Sequence, residues 1–177
     1  MKHVALLRGI NVGGNTKVEM KKLKALFESL GFEDVLTYIN SGNVLFSTTE
    51  KDTDALASKL QNAIQTEFGM PIPVVVRSKE TILSLVKAIP KTWENNTEQK
   101  TDILFLWKEY DKKESLSLLS PTEGIETLQY FSGAIIWNVD RANYNKSGMS
   151  KFVGTKLYKH MTARNINTVR KLASLLT

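Results

Sequence analysis

Apolar residues in the first half of the chain recur at two periods, and turn residues mark each change of period. Residues 3–8 form a short apolar run of strand type. Thr16 and Glu19 stand at capping-box spacing, ahead of Met20, Leu23, Phe27 and Leu30 at helical intervals. Gly31 supplies a left-handed cap, with Phe32 placed to touch Phe27 across it. Residues 35–39 and 44–47 read as strands around Asn40-Ser41-Gly42-Asn43, a hairpin turn whose Gly and Asn tolerate positive φ. Leu56, Leu60, Ile64 and Phe68 predict a second helix closed by Gly69. Pro71 and Pro73 then isolate a last strand, Val74-Val75-Val76.

That order, βαββαβ, is the split-βαβ plait of ferredoxin-like folds. A connecting helix runs from Ser78, carries Ile82, Leu85, Val86 and Ile89 as its inner stripe, and ends at Pro90. Residues 90–101 are polar apart from Trp93 and read as a linker. The pattern then partly repeats: a strand over 102–107, a short helix over 112–119, and a hairpin of 125–131 with 134–139 turning at Ser132-Gly133. Gly133 takes the place of Gly42, although the residues of the two halves do not match. Two helices, near 150–159 and 166–176, are expected to replace the closing helix and strand. Ile166, Val169, Leu172 and Leu176 form the inner face of the last one. The expected class is therefore α+β. Two ferredoxin-like units (1–89 with its connecting helix, and 102–177) would carry antiparallel sheets with helices packed on them, the second unit having a helical C-terminal end.

Composition adds exclusions. The chain has 177 residues, 42% hydrophobic and 24% charged, enough apolar surface for a core and too much for disorder. It contains no cysteine, which removes thiolate chemistry, Fe–S clusters, cysteine zinc sites and disulfides, and suits a reducing compartment. No apolar run approaches the ~20 residues of a membrane span, and Met1-Lys2-His3 leads straight into a strand pattern. A cytoplasmic protein with no membrane partner is expected.

Net charge is +6, and Asp140 is the last acidic residue. Arg141, Lys146, Lys151, Lys156, Lys159, Arg164, Arg170 and Lys171 follow without an acid among them. The plainer reading of that segment is a solvated helical surface. The sharper one is a nucleic-acid contact through Arg141, Lys146, Lys151 and Lys159, with Tyr144 stacking on a base. On a helical wheel of 100° per residue, Lys151, Lys156 and Lys159 fall within about 140° of one another.

Candidate chemistry is sparse. With only His3 and His160, neither a histidine metal cluster nor a histidine-based triad has material to work with, so no metal and no cofactor is expected. Ser84-Leu85-Val86-Lys87 matches S-x-x-K but lies in an amphipathic helix without its companion motifs. Gly9-Ile10-Asn11-Val12-Gly13-Gly14-Asn15-Thr16 has the spacing of a phosphate-binding loop between strand and helix, with Asn15 in place of the lysine. The parallel sheet and magnesium-binding aspartate of a nucleotide triphosphatase are missing. What remains is a tight connecting loop that needs glycine, or an anion site built from Arg8, Asn11, Gly13, Gly14 and Lys17. Without a nucleophile–base set, a non-catalytic or regulatory binder of a small anionic ligand fits better than an enzyme. An enzyme would use the loop as an anion cradle with Arg8 or Tyr38. In a plait, strands of about five residues are expected to hold Gly13 and Ser41 roughly 17 Å apart at opposite edges, in separate pockets.

Three runs together resemble a known family: Ala5-Leu6-Leu7-Arg8-Gly9-Ile10-Asn11-Val12-Gly13-Gly14, Thr37-Tyr38-Ile39-Asn40-Ser41-Gly42-Asn43-Val44, and Arg164-Asn165-Ile166-Asn167-Thr168-Val169. They look like the signatures of the bacterial domain-of-unknown-function family 1697. The resemblance implies a cytoplasmic bacterial protein of two ferredoxin-like α/β units whose biochemical function is not established. It adds Arg164 and Asn165 to the ligand-binding candidates. Two positions depart from the family's pattern: Asn15 stands where a lysine is common, and Ile166 where an aromatic is common.

Overall fold

Strand β1 (Lys2–Leu7) is buried along almost its whole length, so both of its faces are covered. The computed structural model, which describes residues 1–14 and 16–177, continues with α1 (Met20–Ser29), β2 (Glu33–Tyr38), β3 (Asn43–Ser47), α2 (Thr53–Phe68), β4 (Val74–Ser78) and α3 (Lys79–Ala88). The sheet order is β2-β3-β1-β4 with every neighbour antiparallel, the ferredoxin-like arrangement. One face packs Ala5, Leu7, Val44, Phe46, Val74 and Val76 against Leu23 and Phe27 of α1 and Leu56, Leu60 and Ile64 of α2. Burial of each Val, Leu, Ile or Phe among them contributes about 2 kcal/mol.

The helix ends follow the sequence closely. Gly31 sits at φ 83, its amide bonds the Glu28 carbonyl, and the Phe32 amide bonds the Phe27 carbonyl. The Phe27 and Phe32 rings meet at 5.9 Å, as a Schellman closure requires. Gly69 ends α2 at φ 70, and Asp52 caps its start by accepting from the amides of Asp54 and Ala55. The capping box at Thr16 and Glu19 is not formed. Helix α1 begins at Met20, its N-cap is Glu19, and that side chain makes no capping bond. The segment from Asn11 to Val18 is instead a loop with its own hydrogen bonds, which postpones the helix.

The remaining chain forms β5 (Gln99–Leu106), β6 (Glu126–Phe131), β7 (Ala134–Asp140), β8 (Met161–Asn165) and α4 (Ile166–Leu176). Its sheet order, β6-β7-β5-β8, is again antiparallel throughout and repeats the first. Both crossover helices are replaced by 3-10 segments, Lys108–Tyr110 and Lys113–Leu119 in the first crossover, and Arg141–Lys146, Gly148–Gly154 and Lys156–His160 in the second. The expectation of a helix over 150–159 and no final strand is therefore corrected. Gly148 and Gly154 bound a 3-10 segment, and residues 161–165 pair with β5 from Asp102↔Asn165 to Leu106↔Met161. That strand was hidden because the face opposite Met161 and Ala163 carries Thr162 and Arg164, polar residues that are nonetheless buried.

By contacts the chain divides into Met1–Leu83 with Leu172–Thr177, and Ser84–Lys171. The stretch read as a linker reaches into β5, and its earlier residues are tied down. Thr101 Oγ1 donates to the Glu94 carbonyl, Arg170 donates to the Glu94 carboxylate and the Trp93 carbonyl, and Asn167 donates to the Asn95 carbonyl. The second core gathers Leu104, Leu106, Ile135, Trp137, Val139, Met149, Leu157 and Met161. Glu126 knots it by accepting from Trp137 Nε1 and from the amides of Thr122, Gly148 and Met149.

Candidate functional site

The loop after β1 leaves the core at Ile10 and re-enters it at Val18, both buried, and the described residues between them, 11–14, 16 and 17, run at the surface between these two apolar anchors. Asn11 closes this loop. Its amide bonds the Thr16 carbonyl at 2.7 Å, and its side chain pairs with Val18 as a strand would, Oδ1 accepting from the Val18 amide and Nδ2 donating to the Val18 carbonyl. The same Nδ2 donates to the Asn40 carbonyl at 2.9 Å. The loop and the β2–β3 hairpin are thus joined, which corrects the expected separation of Gly13 from Ser41. Since β1 and β3 are antiparallel neighbours, with Leu6 opposite Asn43, the turn before β3 must lie beside the end of β1.

Gly42 makes this approach feasible. It sits at φ 80, its carbonyl accepts from the Leu7 amide, and a Cβ placed on it would come within 2.8 Å of Leu7 Cβ and Ile10 Cδ1. Asn43, fully buried, donates from Nδ2 to the Tyr38 carbonyl and to Ser41 Oγ, fastening the hairpin from inside.

Between loop, hairpin and the start of α1 lies a cavity of about 620 Å³. Asn11, Gly14, Lys17, Val18, Glu19, Met20, Lys21 and Asn40 line it. Of the residues anticipated on this loop, Asn11, Gly14 and Lys17 line the cavity. Arg8 and Gly13 stand on the same loop outside the lining, Arg8 with its amide bonded to the Pro73 carbonyl. Asn15, the residue in the lysine position of the phosphate-loop spacing, lies outside the described residues. Sequence reasoning missed Lys21 and Asn40. The signal was available: in a plait the turn before β3 abuts the end of β1, and a helix starting after Val18 exposes Lys21 in its first turn.

The electrostatics favour an anion. Lys17 and Lys21 face one acid, Glu19, which stands 3.9 Å from Lys22 in an exposed pair of little strength. Glu19 at the N-cap is the one negative charge at the start of α1; the first turn after it carries no acidic side chain and holds Lys21 and Lys22.

Arg164 and Asn165 belong to the other unit, at the end of β8. The Arg164 guanidinium donates to Thr162 Oγ1 and to the Ala163 carbonyl, and burial pushes its pKa down to about 10, so it stays charged at neutral pH. Asn165 Oδ1 accepts from the Thr168 amide and caps α4. Arg141 spends its guanidinium on the Asn96 carbonyl and Asn95 Oδ1, and Tyr144 packs against the second core. Lys146 accepts at its carbonyl from Thr122. Lys151 and Lys159 fall in separate 3-10 segments, so the helical-wheel argument for one cationic face does not apply. Arg170 is paired with Glu94 at 2.9 Å, an acid outside the acid-free segment. Among the described residues, no group of three or more His, Asp or Glu side chains could hold a metal ion, and no helix is long and apolar enough to cross a membrane.

A family model described as a protein of unknown function, DUF1697, matches residues 1–137, which include the first two signature runs and stop short of the third. A solved structure of the conserved bacterial protein SP0830 from Streptococcus pneumoniae is similar to this chain over 99% of its length and 98% of the other's. The TM-score is 0.87 at 28% sequence identity. A search of curated proteins finds no match. The family match spans the whole first sheet, the cavity and most of the second sheet; the chain belongs to the DUF1697 family.

Proposed function

We propose that this protein binds a small anionic, phosphate-bearing ligand in the cavity between the glycine-rich loop and the β2–β3 hairpin, without catalysing a reaction on it. The observation that supports this reading is the meeting of Lys17 and Lys21 with the uncapped start of α1 around about 620 Å³, a volume in the range of small-molecule sites. The ends of the loop are fixed: Ile10 and Val18 are buried, and Asn11 bonds both Val18 and the hairpin. Glu19 is the one carboxylate in the lining, and it is exposed.

A thermal-shift screen over phosphate, nucleotides and sugar phosphates tests the reading. A ligand at about 100 times its Kd stabilises by about 2.7 kcal/mol. Hits are expected with the native chain and lost in Lys17→Ala/Lys21→Ala. Hits that survive in that variant place the site elsewhere.

A further inference from the structure

Two of the exposed large apolar residues, Val12 and Ile39, stand on the two strips of chain that the Asn11–Asn40 bond ties together. Neither lines the cavity itself; each is the chain neighbour of a residue that does, Val12 of Asn11 and Ile39 of Asn40, at its rim. Val12 is 68% exposed and Ile39 49%, so neither is there to fill a core. Ile39 is also held at φ 50, a left-handed conformation that a β-branched side chain resists and that Asn or Gly would adopt with ease. An isoleucine at that point is unfavourable for the backbone and gains no burial in return. The cavity lining itself contributes Val18 and Met20 beside its lysines.

Resting on the anion-site reading above, we infer that the ligand is a phosphomonoester carrying an apolar or aromatic group. Lys17, Lys21 and the start of α1 take the phosphate, and Val12, Ile39 and Met20 cover the apolar body. The ligand is a free small molecule: the open hollow of about 620 Å³ is of a size with a phosphate ester. Apolar area removed from water on both partners then adds to the affinity that charge alone supplies.

Isothermal titration of the full chain with inorganic phosphate, methyl phosphate and phenyl phosphate tests this, with Ile39→Asn and Val12→Ser as variants. Phenyl phosphate is expected to bind at least about tenfold tighter than methyl phosphate, a step that burial of a ring readily supplies. In Ile39→Asn/Val12→Ser that preference falls to within about threefold while phosphate binding is kept. Ile39→Asn alone raises Tm by a few degrees, because Asn suits the left-handed turn. Equal binding of the two esters by the native chain, or a preference unchanged in the double variant, overturns the inference and leaves the anion site standing. No binding of any phosphate overturns both. Capture by phosphatidic acid vesicles without binding of phenyl phosphate also overturns the inference, since the occupant would be a membrane surface.

Discussion

Two glycines of the site differ in what they protect. Gly42 combines φ 80 with a Cβ direction blocked at 2.8 Å by Leu7 and Ile10, whereas Gly14, also at φ 80, has open space around it. Gly42→Ala should therefore cost roughly 3 kcal/mol, strain and overpacking together, and push the hairpin off the loop. Gly14→Ala should cost about 1 kcal/mol, the conformational part alone. Urea denaturation of both variants measures the difference, and equal costs would show that the hairpin does not need its close approach. His3 offers a second test. It is fully buried, stacks on Phe46 at 5.6 Å, and its Nε2 lacks a partner among the described residues, while Nδ1 meets the Met1 carbonyl. Burial holds its pKa below the ordinary histidine value, outweighing the upward pull of the Met1 bond. The unfolded chain then binds the proton first, so stability is intact above the unfolded value of about 6.5 and is lost as pH falls through the lower folded value. His3→Phe, which keeps a ring on Phe46, should flatten that loss below about pH 6.5 relative to the native chain. Parallel pH profiles of unfolding would argue against this role for His3.

At the scale of elements, what was legible in the sequence was whatever rested on local periodicity and caps. Helix α1 has Leu23 and Phe27 inward and Gly31 beyond it; α2 has Leu56, Leu60, Ile64 and Gly69. Each is a repeat of 3.6 ended by a residue that accepts φ > 0. The second unit's crossovers were not legible, because side chains far away in sequence hold them. Glu126 on β6 accepts from the amides of Gly148 and Met149, and Gly148 has no room for a side chain beneath the carbonyls of Leu119 and Ser120. No window of neighbouring residues contains that information. Glu126→Ala should cost roughly 3 kcal/mol, since it leaves four donors short of their acceptor, and should increase amide exchange over residues 147–154 first. Glu126→Gln, which keeps one carbonyl oxygen, should lose about half as much. Identical exchange in the native and alanine chains would mean that the 3-10 segments hold themselves. The candidate site was half legible for a related reason. Gly14 and Lys17 follow from a motif spacing, but Asn40 follows only from the antiparallel pairing of β1 with β3, and Lys21 only from where α1 begins.

The two units, each taken by itself, repeat one another in hydrogen bonds more than in residues. The amide of Leu7 bonds the turn carbonyl of Gly42, and the amide of Leu106 bonds that of Gly133. The amide of Arg8 bonds the Pro73 carbonyl just before β4, and the amide of Trp107 bonds the His160 carbonyl just before β8. At the end of the fourth strand, Arg77 and Arg164 each donate to the preceding carbonyl, and Ser78 and Asn165 each cap a helix at Thr81 and Thr168. The loop after the first strand is where the repeat parts. In the first unit Asn11 reaches the hairpin and leaves a cavity with two lysines. In the second, Asp111 takes the equivalent place and accepts from the Gly133 amide and the Tyr130 hydroxyl, closing the corner with a carboxylate and a ring. Burial first, and then this carboxylate, raises the Tyr130 pKa and keeps the hydroxyl protonated as the donor. The hollow beside Tyr110 sets Glu109 and Glu114 against Lys112 and Lys156, which leaves no net positive charge to draw an anion. One chain should therefore bind one equivalent of a phosphate ligand despite its duplicated fold. Titration to saturation should give a stoichiometry of one, falling to zero in Lys17→Ala/Lys21→Ala. Two equivalents, or half the capacity remaining in that variant, would mean that the second unit kept a site of its own.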